Sequence, residues 1–140
     1  MRLVLDTDVI IAALRSQAGA SAAILTAALD GNATLLVSVA LALEYEAVAT
    51  RDELLAATGM SHGDALRRVS TIIALCEPVY AAYRWRPQLR DPDDEMVLEA
   101  AVNGGADMLV TFNLRDFGTA PQAFGIELCR PADALRRIRS

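Results

Sequence analysis

The chain has 140 residues, 54% of them apolar and only 5% aromatic, and a formal net charge of −5. This length suits a single domain over residues 1–140, and the composition suits a core of Ala, Val, Leu and Ile built from helices packed on a sheet. The negative balance excludes a broad basic surface for non-specific nucleic-acid binding, which needs many cationic contacts. It leaves room for a local one, since the 13 basic residues are all Arg, the side chain that grips phosphate with two parallel donors.

Taken in chain order, Leu3 to Leu5 reads as a short buried strand. Val9 to Leu14 and Ala20 to Leu29 then read as two helical pieces separated around Gly19, and Ala33 to Val37 as a second strand. A strand–helix–strand opening favours a parallel sheet. Ser38 is placed to cap a helix over Val39 to Thr50, and helical character resumes from Asp52 to Thr58, ending at Gly59. Ser61 opens a further helix to about Cys76, before Pro78. The stretch 79–92 is the least regular and is expected to be a helix remnant followed by a loop.

Asp91-Pro92 has the form of a helix start, Asp as N-cap and Pro in the first turn, and the helix should run to Asn103 before Gly104-Gly105. Met108 to Val110 is expected as a third strand, Ile126 to Leu128 as a fourth, and Pro131 to Arg139 as a final helix. The first apolar run is broken by Asp6 and Asp8, so no secretory leader is expected, and Leu35 to Leu43 is too short to span a bilayer. Cys76 and Cys129 lack the spacing of a metal or redox pair, which points to reduced thiols in a cytoplasmic protein.

Four acids sit where acids are not expected. Asp6 ends an apolar strand, and in open α/β sheets ligands bind beyond the carboxyl ends of the strands. Glu44 shares a helical face with Ala40, Leu41, Ala47 and Val48, the face expected on the sheet, although alone it also fits a rim residue reaching solvent or an Arg. Asp94 falls on the side of Val97, Leu98 and Ala101; an acid in a first turn complements the helix dipole, but Asp91 and Asp93 already meet that need. Thr111, Asn113 and Asp116 follow the third strand, where Asp116 alone would read as a turn residue.

The strand order expected here can bring Asp6, Glu44, Asp94 and Asp116 to one edge. Two such charges at about 4 Å repel by about 4 kcal/mol at an effective dielectric near 20, so the cluster calls for a divalent cation. An all-oxygen donor set suits Mg²⁺ or Mn²⁺. His62, the one histidine, stands at a helix start as an expected surface residue. No Ser-His-Asp, Cys-His, G-x-S-x-G or P-loop pattern is present.

With these residues in place, the chain resembles the PIN domains, and more closely the toxin ribonucleases of VapBC-type toxin–antitoxin pairs. The stretches that carry the likeness are Leu3 to Ile10, Ser38 with Glu44-Tyr45, Asp91 to Glu95 with Ala100-Ala101, and Leu109 to Phe117. The resemblance implies a three-layer α/β/α fold with a central, mostly parallel sheet, a homodimer, and endonucleolytic hydrolysis of single-stranded RNA. It implies Asp6, Glu44, Asp94 and Asp116 as the acidic quartet and Thr7 and Thr111 as hydroxyls of the site. Asp6 and Asp94 are the expected direct metal ligands, with Glu44 and Asp116 acting through water or on the nucleophile. Asp8 stands where the family usually has Asn, and Asn113 where its last motif often has Asp.

The resemblance also implies a small antitoxin that wraps the toxin and can send a basic side chain into the acidic site. Arg84, Trp85 and Arg86 make a candidate RNA-stacking edge, though a packed Trp accounts for the same residues. Three rival readings stand beside this one: a solitary RNA-processing PIN nuclease, a non-catalytic binding module, and a haloacid-dehalogenase-like phosphatase reading Asp6-Thr7-Asp8-Val9 as its first motif. The phosphatase needs a downstream Lys, and the chain has none.

Overall fold

The computed structural model describes residues 1–80 and 88–140. Its centre is a five-stranded sheet, all pairs parallel, of β1 (Arg2–Leu5), β2 (Thr34–Ser38), β3 (Glu77–Val79), β4 (Met108–Val110) and β5 (Glu127–Cys129), in the spatial order β3-β2-β1-β4-β5. Parallel strands are covered on both faces and therefore read as unbroken apolar runs. Leu3-Val4-Leu5, Leu35-Leu36-Val37 and Met108-Leu109-Val110 are such runs, and every one of these side chains is buried.

Helices join and cover the strands: α1 (Thr7–Arg15), α2 (Ala20–Leu29), α3 (Val39–Ala49), α4 (Asp52–Thr58), α5 (His62–Leu75), α6 (Pro92–Asn103), α7 (Leu114–Phe117), α8 (Ala120–Ala123) and α9 (Pro131–Arg139). The result is the expected three-layer α/β/α arrangement. Caps mark several helix starts where the sequence placed them. Ser38 Oγ accepts from Leu41 N at 3.1 Å, Ser61 Oγ from Asp64 N at 3.1 Å, and an Asp91 carboxylate oxygen from Asp93 N at 2.9 Å. His62 is exposed at the start of α5, and both cysteines are free thiols, Cys129 buried and Cys76 half-buried.

The sheet has one strand more than expected. Glu77-Pro78-Val79 has no alternation to reveal it, and proline, lacking an N–H, is confined to sheet edges. Among the described residues β3 is an edge strand, paired only with β2. The four-residue helices α7 and α8 were likewise unannounced, being too short for a hydrophobic period. The buried face of α3 also differs from expectation. It is Leu41, Tyr45 and Ala49, while Ala40 and Ala47 are exposed, which turns Glu44 to the edge of the packed face. The Arg84-Trp85-Arg86 edge lies outside the described residues, as do residues 81–87 of the irregular stretch 79–92.

The strand order decides where a ligand fits. From β1 the chain moves outward to β2 and β3, then returns to the other side of β1 for β4 and β5. The order reverses between β1 and β4, and the crevice beyond the carboxyl ends of strands at such a reversal is where open α/β sheets bind ligands. Asp6 follows β1 and Thr111 follows β4.

Candidate active site

Asp6 is 8% exposed and is the one buried carboxylate among the described residues. Three bonds hold it. Its N–H continues the ladder to Val110 O at 2.8 Å, its Oδ1 accepts from Thr7 N at 2.8 Å as the N-cap of α1, and its Oδ2 accepts from Thr111 Oγ1 at 2.7 Å. The carboxylate thus points from the end of β1 toward the end of β4. Thr111 is fully buried, so it supports the site from below and does not line it.

Asp8, in the first turn of α1, is drawn to the same place. Its Oδ2 accepts from Phe112 N at 3.1 Å and from Asn113 Nδ2 at 3.0 Å, and lies 3.4 Å from Thr111 Oγ1. Its Oδ1 is buried without a hydrogen-bond partner among the described residues. Asn113 N donates in turn to Thr111 Oγ1 at 3.0 Å, which sets the turn into α7 and carries Asp116 to the cleft.

Glu44 is positioned through its neighbour. The buried Tyr45 hydroxyl donates to Leu5 O, the carbonyl just before Asp6, and so fastens α3 to the tip of β1. Glu44 is half-buried and makes no ion pair among the described residues. Asp94 is half-buried in the first turn of α6, on the side that carries the buried Val97, Leu98 and Ala101, as its spacing predicts.

These side chains meet in one cleft of about 740 Å³. Asp6, Thr7, Asp8, Glu44, Asp94, Asn113 and Asp116 all line it, so seven of the eight expected site residues open onto one space and Thr111 lies beneath it. Asp91 and Asp93 line it too. Sequence reading gave those two only the role of helix-start acids, and their one further signal was the surplus of acids in Asp91-Pro92-Asp93-Asp94. Arg15 and Phe112, also on the cleft wall, had no signal.

Crowding shows in the acid–base behaviour. Burial pushes the Asp94 carboxyl up to about 6, helped by the charges of Asp6, Asp91, Asp116 and Asp93. Asp8 also rises to about 6, from burial and then from Asp6. Asp6 is raised by burial against the lowering effect of its bonds from Thr111 and Thr7. Glu44 is raised by burial and by Asp93, with Arg51 pulling the other way. A site that raises several carboxylates at once disfavours their charged forms and favours a bound cation.

Among the described residues no three His, Cys, Asp or Glu side chains stand close enough to form a ready-made metal cage. That spacing still suits Mg²⁺, which keeps several waters and binds through one or two carboxylates. The donors are all oxygen, Asp8 Oδ1 has no hydrogen-bond partner among the described residues, and the crowded carboxylates gain from a cation, so the residues present fit such an ion.

Comparison with known proteins bears on the family and the fold. A family model described as PIN domain matches residues 2–115. The chain belongs to the PIN-domain family. Its fold is similar to a crystal structure of VapBC2 from Rickettsia felis bound to a DNA fragment from their promoter. The TM-score is 0.63 at 13% sequence identity, over 93% of this chain and 98% of that one. No curated protein matches in sequence. This PIN domain has no single helix, among the described residues, long and apolar enough to cross a membrane.

Proposed function

We propose that this PIN domain is a Mg²⁺- or Mn²⁺-dependent endoribonuclease that hydrolyses single-stranded RNA, and the toxin of a type II toxin–antitoxin pair. The observation that carries the nuclease reading is the meeting of Asp6, Glu44, Asp94 and Asp116 in one cleft at the reversal of strand order. Asp6 and Asp94 would hold the cation. When bound, it supplies a lowered pKa for water and neutralises charge on the phosphodiester.

The chain's own groups set the geometry. Thr111 fixes the direction of Asp6, and Tyr45 fixes the helix that carries Glu44. Glu44 and Asp116 are the groups that accept hydrogen bonds from the attacking water and keep its lone pair toward phosphorus. Asp8, bonded to Phe112 N and Asn113 Nδ2, holds the β4–α7 turn in register with β1. Asn113 and Thr7 complete the polar wall.

The toxin reading rests on the family and on the fold likeness to VapBC2, and it favours this role over a solitary RNA-processing nuclease. A cognate antitoxin would place a basic side chain among the raised carboxylates, and the toxin is expected to form a homodimer in the cytoplasm.

The test is cleavage of a labelled single-stranded RNA by purified protein. Activity should need added Mg²⁺ or Mn²⁺, vanish with chelator, and fall roughly 100–1,000-fold, the scale of losing one group that stabilises the transition state, in Asp6→Asn and Asp94→Asn with the fold retained. Cleavage untouched by chelator and by both substitutions rules the reading out.

A further inference from the structure

Two features beside the acids have no role in the proposed reaction: an exposed aromatic ring and a second cleft. Phe112 is 44% exposed yet lines the acidic cleft. Its backbone is fixed, with its N–H bonded to Asp8 and its neighbours Thr111 and Asn113 bonded to each other. A large apolar side chain left in water on a rigid turn at the mouth of a site offers a flat platform at little ordering cost.

The second cleft, of about 690 Å³, abuts the first along Asp91, Asp94 and Asp116. Arg90 and Arg115 line it. Neither takes part in the ion pairs of the described residues, which engage Arg2, Arg67, Arg136 and Arg137. Arg115 is exposed on α7, and that helix is anchored by the buried Phe117 one residue past Asp116. An acidic centre repels a polyanion, so attraction has to come from its flanks. Here Arg15 lines the first cleft, and Arg90 with Arg115 lines the second.

We propose that the two clefts form one track for single-stranded RNA: a base beside the scissile phosphate stacks on Phe112, and a neighbouring backbone phosphate is held by Arg90 and Arg115. This rests on the nuclease reading. An aromatic platform with a cationic groove is the combination that binds single strands with little sequence preference, because every base has a face to stack and every linkage a phosphate. Arg suits the second contact because its planar fork meets two phosphate oxygens at once.

The experiment is steady-state cleavage of a fluorescent single-stranded RNA in Mn²⁺ by the wild type, Phe112→Ala, Phe112→Leu, Phe112→Trp and Arg115→Gln. Phe112→Ala should raise KM by roughly 10–100-fold, Leu should not rescue it, and Trp should restore binding. RNA made abasic throughout should lose the same factor on the wild type and little more on Phe112→Ala. Arg115→Gln should flatten the dependence of log KM on log salt by about 0.7, as expected for one lost phosphate contact to a single strand. An unchanged KM in Phe112→Ala, or a Leu variant equal to the wild type, overturns the track while wild-type cleavage upholds the nuclease. Absence of metal-dependent cleavage by the wild type in the same assay overturns both.

Discussion

Thr111 Oγ1 donates to Asp6 Oδ2 at 2.7 Å across 105 positions of sequence. One hydroxyl therefore ties the end of β4 to the end of β1 at the point where strand order reverses. The same oxygen accepts from Asn113 N and starts the turn that carries Asp116. Aim of the first acid and placement of the last are set by a single, fully buried side chain.

Thr111→Val keeps the shape and removes the hydroxyl, leaving Asp6 Oδ2 buried without its donor. RNA cleavage and Mn²⁺ affinity should each fall about 10–100-fold, the usual scale for losing a group that orients a metal ligand. Thermal unfolding should show a loss of about 1–3 kcal/mol for the unsatisfied acceptor. Thr111→Ser should stay within a few-fold of the wild type. Equal activity in Val and wild type would show that Asp6 does not need this bond.

The raised carboxylates make a signed prediction for pH. Asp94 stands at about 6, above its ordinary 3.8. Between those values the folded protein holds a proton that the unfolded chain has lost, so the contribution to stability is present below about pH 4 and disappears as pH rises through 6. Metal-free Asp94→Asn should therefore melt above the wild type at pH 7, and the gap should close by pH 4. Solvent screening of this half-exposed group keeps the effect small, roughly 2–4 °C. Saturating Mn²⁺ at pH 7 should stabilise the wild type more than the variant. A gap that widens on acidification would contradict the assigned direction.

Gly104, at the end of α6, tests the packing that carries Asp94. A Cβ there would lie 2.8 Å from Val79 Cγ2 and 2.9 Å from both Ala100 O and Leu36 Cδ1, atoms of three different elements. Its φ of −86° is open to any residue, so the cost is steric. Gly104→Ala should lower the urea midpoint by the equivalent of about 1–3 kcal/mol. The Arg2 guanidinium, which donates to Gly104 O at 2.8 Å, should be displaced with it. A midpoint equal to the wild type would mean that β2 and β3 yield freely.

Many helix limits were legible from a local signal, although α1 starts on the Asp6 cap at Thr7, two residues before the expected Val9. The ends of α2, α4, α6 and α9 fall where Gly19, Gly59, Asp91-Pro92 and Pro131 place them, because caps and breakers act within a turn of themselves. β3 was not legible, since an edge strand built on Pro78 owes its existence to β2 beside it. The buried face of α3 was misjudged for a related reason. Ala40 and Ala47 fit either face, and the Tyr45 hydroxyl on Leu5 O selects the rotation.

By itself the sequence determined a parallel sheet with helices packed on it and the acids that sit against their apolar surroundings, because buried runs, caps and misplaced charges are properties of short segments; the three-layer α/β/α arrangement was implied by the resemblance to the PIN domains. Only the tertiary structure decided that Thr111 lies beneath Asp6, that Asp91, Asp93 and Phe112 join the cleft, and that Arg90 and Arg115 line the next one. An exposed aromatic or arginine reads the same along the chain whether it faces bulk water or a site. The difference arises when strands far apart in sequence are set side by side.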